Sequence, residues 1–190
     1  MSTEQSKAQD VVTAASIMRP TGADSARAGG VYIVTCVGAD GVEKWSDTFH
    51  NLVVNQGLQD MNAKYFSAVG YSAAWYLGLV TGPGSGTTYA ATDTLASKAW
   101  TENTAYTGNR KAVTFGTATT ADPSVISNSA SPSAFTMNAN AQTIAGAFLC
   151  SVASGTSGIL FSAGDFTGGD KLVDSGDTLS VTYSFSLDAA

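Results

Sequence analysis

Four aspartates in a glycine-rich stretch come nearest to a pattern that could form a functional site. They are Asp165, Asp170, Asp174 and Asp177. Calcium prefers several carboxylates and carbonyl oxygens on a flexible loop, so these four are candidate calcium ligands. Their spacing departs from the EF-hand pattern, however, and a mixture of Asp, Gly and Ser is also what tight turns require. We therefore interpret the stretch as turns and keep calcium binding as the alternative.

The remaining reactive side chains do not form a pattern that predicts catalysis. His50 is the only histidine, and a nucleophilic triad would have to use it. It follows a strand-like run and is interpreted as a turn residue. Cys36 and Cys150 lie in apolar runs, which favours two buried thiols over a disulfide and leaves pairing open. Three Cys and His residues are too few for a zinc site. We predict a protein without catalytic residues or cofactors, and not an enzyme.

Charge and composition restrict the partners. The chain of 190 residues is 44% hydrophobic and only 13% charged, with a net charge of -6. The basic residues are scattered, so direct binding of nucleic acid is not predicted, because such binding needs phosphate neutralisation. There is neither a secretion signal nor an apolar run near the ~20 residues of a membrane span. We expect a protein made in a cytoplasm that makes no membrane contact and buries part of its low-charge exterior against neighbouring subunits.

The strand that closes the chain has the clearest pattern. Over residues 177–187, apolar side chains alternate with serine and threonine: Leu179, Val181, Tyr183, Phe185 and Leu187 are the apolar set. Such alternation is typical of a half-buried antiparallel strand. Similar runs occur at residues 31–37, 42–49, 74–80, 111–117, 134–138, 142–151 and 158–162. About eight strands separated by turns predict a mainly β fold, either an antiparallel sandwich or a jelly-roll-like barrel.

One short helix is predicted over residues 55–66. Asn55 is a suitable N-cap, and Leu58, Met61, Tyr65 and Phe66 recur at helical spacing. We expect this stripe to pack against the sheet.

Residues 1–28 differ in composition from the rest of the chain. They are polar or linker-like around a mildly apolar segment, and they are too poor in apolar residues to form a core of their own. We predict an extended N-terminal assembly arm over residues 1–28 and a β-sandwich domain over residues 29–190. The predicted partner-binding residues of the arm are Val11, Val12, Ile17 and Met18.

Several segments together resemble a family of small structural proteins of tailed bacteriophages. The matching segments are residues 41–45, 51–58, 75–79, 93–102, 127–130, 144–149, 166–171 and 174–185, with Tyr106. The resemblance covers residues 31–188 and omits the arm. It implies a virion component without catalytic residues, most simply a capsid decoration (cement) protein. Such a protein bridges major capsid protein subunits, and we expect a homo-oligomer, with a trimer favoured. A tail-fibre or collar adaptor that binds other virion proteins is the alternative.

A carbohydrate-binding adhesin domain is a further alternative on the same fold. Its stacking platforms would come from the aromatic residues Trp75, Tyr76, Tyr89, Trp100 and Tyr106. Because Trp75 and Tyr76 lie within an apolar run, we favour core positions for these side chains.

Overall fold

The computed structural model describes residues 26–67, 70, 74–82 and 89–189. The arm residues Val11, Val12, Ile17 and Met18 lie outside the described residues. Two antiparallel sheets and one helix make up the described part, which confirms the mainly β prediction and its sandwich form. The elements in chain order are β1 (Ala26–Val37), β2 (Glu43–His50), β3 (Leu52–Val53), α1 (Asn55–Phe66), β4 (Tyr76–Thr81), β5 (Glu102–Asn103), β6 (Lys111–Ala112), β7 (Ser124–Ser127), β8 (Ser133–Thr136), β9 (Gln142–Cys150), β10 (Leu160–Asp165), β11 (Lys171–Val173) and β12 (Thr178–Ala189).

The first sheet, sheet A, is built around the last strand of the chain. Its order is β2-β1-β12-β7, and β8 also pairs with β12. β12 and β1 are in register over their full length, from Ala26 opposite Ala189 to Val37 opposite Thr178. The predicted alternation is confirmed, since Leu179, Val181 and Tyr183 are buried. A turn with Gly41 at a φ of 81° joins β1 to β2, and Asp40-Gly41 is a typical sequence for a hairpin turn.

The second sheet, sheet B, is buried on both faces. Its order is β3-β10-β9-β4-β5, and β9 is buried without interruption from Ile144 to Cys150. One face packs against sheet A, and the other is covered by the loop of residues 89–101 through Leu95 and Trp100. Asp93 fastens this loop by accepting hydrogen bonds from Trp100 Nε1 (3.2 Å) and the Ala90 amide (3.1 Å).

Some predicted boundaries were wrong. β1 begins at Ala26, so residues 26–28 belong to the sheet and not to the arm, because β12 extends far enough to pair with them. The strand expected over residues 111–117 is reduced to Lys111–Ala112, since β4 offers only a short edge there. The strands β3, β5, β7 and β11 were not predicted, because runs of two to four residues are too short to show a clear alternation.

The helix has the predicted bounds but a different cap and orientation. Val54 is the N-cap residue and Asn55 is the first helical residue, so the predicted cap was wrong. Of the predicted stripe, only Met61 packs against the core, whereas Leu58, Tyr65 and Phe66 are 40%, 83% and 77% exposed. The helix instead approaches β10 through Gly57. A Cβ added there would lie 2.6 Å from the Phe161 carbonyl oxygen, and this close approach turns the apolar stripe outward.

We expect Gly57→Ala to destabilise the protein even though alanine favours helices. The added methyl group would push α1 away from the β10 backbone, at a cost of about 1–3 kcal/mol that exceeds the gain of ~1 kcal/mol in helix propensity. Chemical denaturation measures this change. The matched control is Asn62→Ala on the exposed side of α1, which should be neutral or slightly stabilising. An equal response of both variants would contradict the close packing of Gly57.

Candidate functional site

An open apolar groove lies between α1 and the end of sheet A. It has a volume of about 730 Å³ and is lined by Ala26, Leu187 and several residues of α1. Leu187 continues the inward-facing row of β12, and 40% of its side chain is exposed. On the other wall, Tyr65 and Phe66 project beside the groove with their rings 4.8 Å apart. We call this feature the α1 groove.

A smaller apolar cleft of about 160 Å³ adjoins the groove at Met61, which lines both. Trp75, Phe161 and Phe185 form much of its wall, and Trp75 packs edge-on against Phe161 at 5.3 Å. Apolar surface therefore runs without a break from the sandwich interior to the outside of α1. Exposed apolar surface of this kind is typical of an interaction site.

The two walls of the α1 groove are formed by the ends of β1 and β12 and by α1. β1 and β12 each have twelve residues, whereas β9, the longest strand of sheet B, has nine. At the end where β1 begins and β12 finishes, Ala26 and Leu187 line the groove together with residues of α1. Gln56 anchors the start of α1 by accepting a hydrogen bond from the Leu160 amide at 2.9 Å. The sequence signal for this orientation was Gly57, which marks the side of closest approach.

The outer side of sheet A forms a second surface. Apart from Gly29 and His50, which lies opposite Val31, the outward positions between its two ends are serine, threonine or aliphatic; they comprise Val31, Ile33, Thr35, Ser46, Thr48, Val125, Ser127, Ala134, Ser180, Thr182, Ser184 and Ser186. Hydroxyl groups pair across the strands, as in Thr35 with Ser46 (3.0 Å) and Ser184 with Ser127 (2.9 Å). We call this surface the uncharged face.

The four aspartates predicted as calcium candidates do not share a site. Asp165 accepts a hydrogen bond from the Tyr89 hydroxyl at 2.8 Å, and Asp170 lies beside Gly82. Asp174 and Asp177 instead flank Lys44, at 3.8 Å and 2.7 Å from its Nζ. Within the described ranges, no three His, Cys, Asp or Glu side chains are grouped so that they could hold a metal ion. The stretch serves as turns, with Gly169 and Gly176 at positive φ.

Asp177 has a structural role at the start of β12. Burial alone would raise the pKa of its carboxyl group, but the Lys44 ammonium and the Asp174 amide, at 2.7 Å and 2.9 Å, lower the pKa below its ordinary value. The ionised carboxylate therefore ties β2 to the turn that precedes β12.

The cysteines and the histidine are not brought together. Cys36 and Cys150 are buried free thiols in different sheets, which confirms the interpretation as small hydrophobes. Burial is the main cause that raises the pKa of Cys36 to about 11, so its thiol stays protonated at neutral pH. His50 is exposed at the end of β2.

The aromatic residues considered for carbohydrate stacking are dispersed. Trp100 and Tyr106 are buried in the core, on opposite faces of sheet B. Trp75 lines the apolar cleft. Tyr76 and Tyr89 pack against the buried cluster that contains Leu95 and Trp100. They do not form a shared platform, which agrees with the preference for core positions.

No family model, curated protein or solved structure matches this chain. The likeness to bacteriophage structural proteins therefore stays a prediction from the sequence. In the part of the chain that the structure describes, α1 is the single helix and is too short and too polar to cross a membrane.

We expect Asp177→Asn to lower the thermal midpoint by several degrees at pH 7. The pKa of Asp177 is depressed in the folded state, so its contribution to stability is present above the ordinary pKa of 3.8 and disappears as the pH falls through the lower, folded pKa. The difference from the unsubstituted protein should therefore shrink toward about pH 2. Asp188→Asn, at the other end of β12, is the control. A deficit that did not depend on pH would contradict the ionic role.

Proposed function

We propose that this protein is a non-catalytic structural component of a bacteriophage particle, and that it acts as a capsid decoration protein. The observation that carries the proposal is the uncharged face, a broad sheet surface of hydroxyl and aliphatic side chains. The likeness of residues 31–188 to phage structural proteins supports the choice of particle. The partner would be the major capsid protein or another virion protein.

The composition of the uncharged face suits contact with another protein. Transfer of a charged group out of water is costly unless a partner compensates it, whereas hydroxyl groups that already pair with one another need little compensation. The pairs Thr35 with Ser46 and Ser184 with Ser127 are of this kind. Ile33, 42% exposed at the centre of β1, adds apolar area that a partner could bury.

Sheet A gives the uncharged face a fixed shape. Twelve paired positions join β1 to β12, and the inward residues between them are packed in the main core. A surface of fixed shape loses little conformational freedom when it binds, so more of the contact energy contributes to affinity. On a symmetric shell the same patch would be used by every copy, and a modest contact area would be multiplied over the particle.

The proposal predicts that a charge at the centre of the uncharged face abolishes attachment to particles. Ile33→Lys should reduce occupancy by about tenfold or more, because docking would bury an unpaired ammonium group. The measurement is co-sedimentation of the purified protein with phage particles that lack it. Thermal unfolding of each variant verifies that the domain is folded.

Val42→Lys is the matched control. Val42 is also an exposed β-branched residue, 61% accessible, but it lies in the β1–β2 turn outside the face. Its occupancy should equal that of the unsubstituted protein. Particles that bind the folded Ile33→Lys protein as well as the control would contradict the proposed face. Immunogold labelling then separates a shell protein from a tail or collar adaptor by the position of the label.

A further inference from the structure

We infer that the α1 groove is the docking site for the apolar segment of this chain's own N-terminal arm, residues 11–18. The inference is independent of the proposed function, because it rests on the groove and on the chain that leads into it. It assigns to Val11, Val12, Ile17 and Met18 a partner within the same molecule.

The groove selects an uncharged apolar ligand. Its lining combines Ala26, Met61 and Leu187 with the rings of Tyr65 and Phe66. Its two charged residues, Asp60 and Lys64, form an ion pair with each other at 3.1 Å. Their charges are thus already compensated, and the site has no need of an ionic partner.

The arm segment has the matching composition. From Val11 to Met18 it consists of valine, isoleucine, methionine, alanine, serine and threonine, and the nearest charged residues, Asp10 and Arg19, lie just outside it. Burial of four aliphatic or thioether side chains against two aromatic rings would remove apolar surface of both partners from water. The remaining alanines and hydroxyl residues are small enough for close approach.

The point of attachment makes the contact intramolecular. Ala26, where the described chain begins, is itself a lining residue of the groove. Met18 precedes it by eight residues, and at ~3.3 Å per residue such a linker reaches about 26 Å. That reach is sufficient for the chain to turn back at the end of the sheet.

A tethered segment also outcompetes the same segment of a second copy. Short flexible linkers give effective concentrations in the millimolar range, well above the concentration of a dilute protein. At rest the arm would cover the exposed rings of α1 and keep this patch from associating with other molecules. The arm would thus be bound to the β-sandwich domain of its own chain.

A cysteine pair tests the assignment in the full chain. In Ile17→Cys/Phe66→Cys, oxidation at low micromolar protein should give a monomer with an internal disulfide, detected by intact mass and non-reducing electrophoresis. Phe66 is largely exposed, so its substitution should leave the fold intact. In the control pair Ile17→Cys/Val42→Cys, the second thiol lies at the opposite end of β1 and should not crosslink. The native thiols Cys36 and Cys150 are buried, and the single variants show their background.

Each other result overturns the inference. A disulfide-linked dimer would show exchange of the arm between copies, and equal crosslinking of both pairs would show an undirected arm. A second readout is the labelling rate of the single variant Phe66→Cys. Adding Ile17→Asp and Met18→Asp should expose this thiol and raise its rate by about tenfold, as expected for the loss of a contact of moderate strength. An unchanged rate would show that the arm does not cover the groove.

Discussion

The pairing of β12 with β1 forms the centre of sheet A and joins the two ends of the described chain. The last strand of the chain joins the first over twelve positions, and β7 and β8 attach to its other edge. The sheet can therefore be completed only when nearly the whole chain is present, and its contacts are among the most distant in sequence. Asp177, held by Lys44 of β2, fixes the start of β12 and with it the register that places Leu179, Val181 and Tyr183 in the core.

Both candidate surfaces are consequences of this long pairing. The inward row of β12 continues to Leu187, which lines the groove beside α1 and stays partly exposed. The outward row of the same strand supplies the serines and threonine of the uncharged face. One alternating sequence thus contributes to an apolar groove on one side and to a flat hydroxyl surface on the other.

The loop of residues 89–101 explains why the strands of sheet B have a different pattern of apolar residues from those of sheet A. It provides a third layer, fastened by Asp93, so β9 and β10 need apolar residues on both faces. In the sequence, residues 144–150 of β9 form an unbroken run of apolar residues and glycine, whereas β1 and β12 of sheet A alternate. Leu95 and Trp100, which lie outside the predicted strands, are core residues of this layer.

Local periodicity was enough to predict the fold class, the alternation of β12 and the bounds of the helix, and Gly41 marks the β1–β2 turn. Contacts between distant segments set which side of α1 faces the body. Helical spacing predicted that Leu58, Tyr65 and Phe66 pack inward, but the close approach of Gly57 to β10 turns them outward. Tertiary contacts also separate Asp165 and Asp170 from Asp174 and Asp177. The strand β11 lies between the two pairs in the chain, and Lys44 of β2 forms ion pairs with Asp174 and Asp177. Both features depend on contacts between segments that are distant in sequence, and a local sequence pattern contains no information about such contacts.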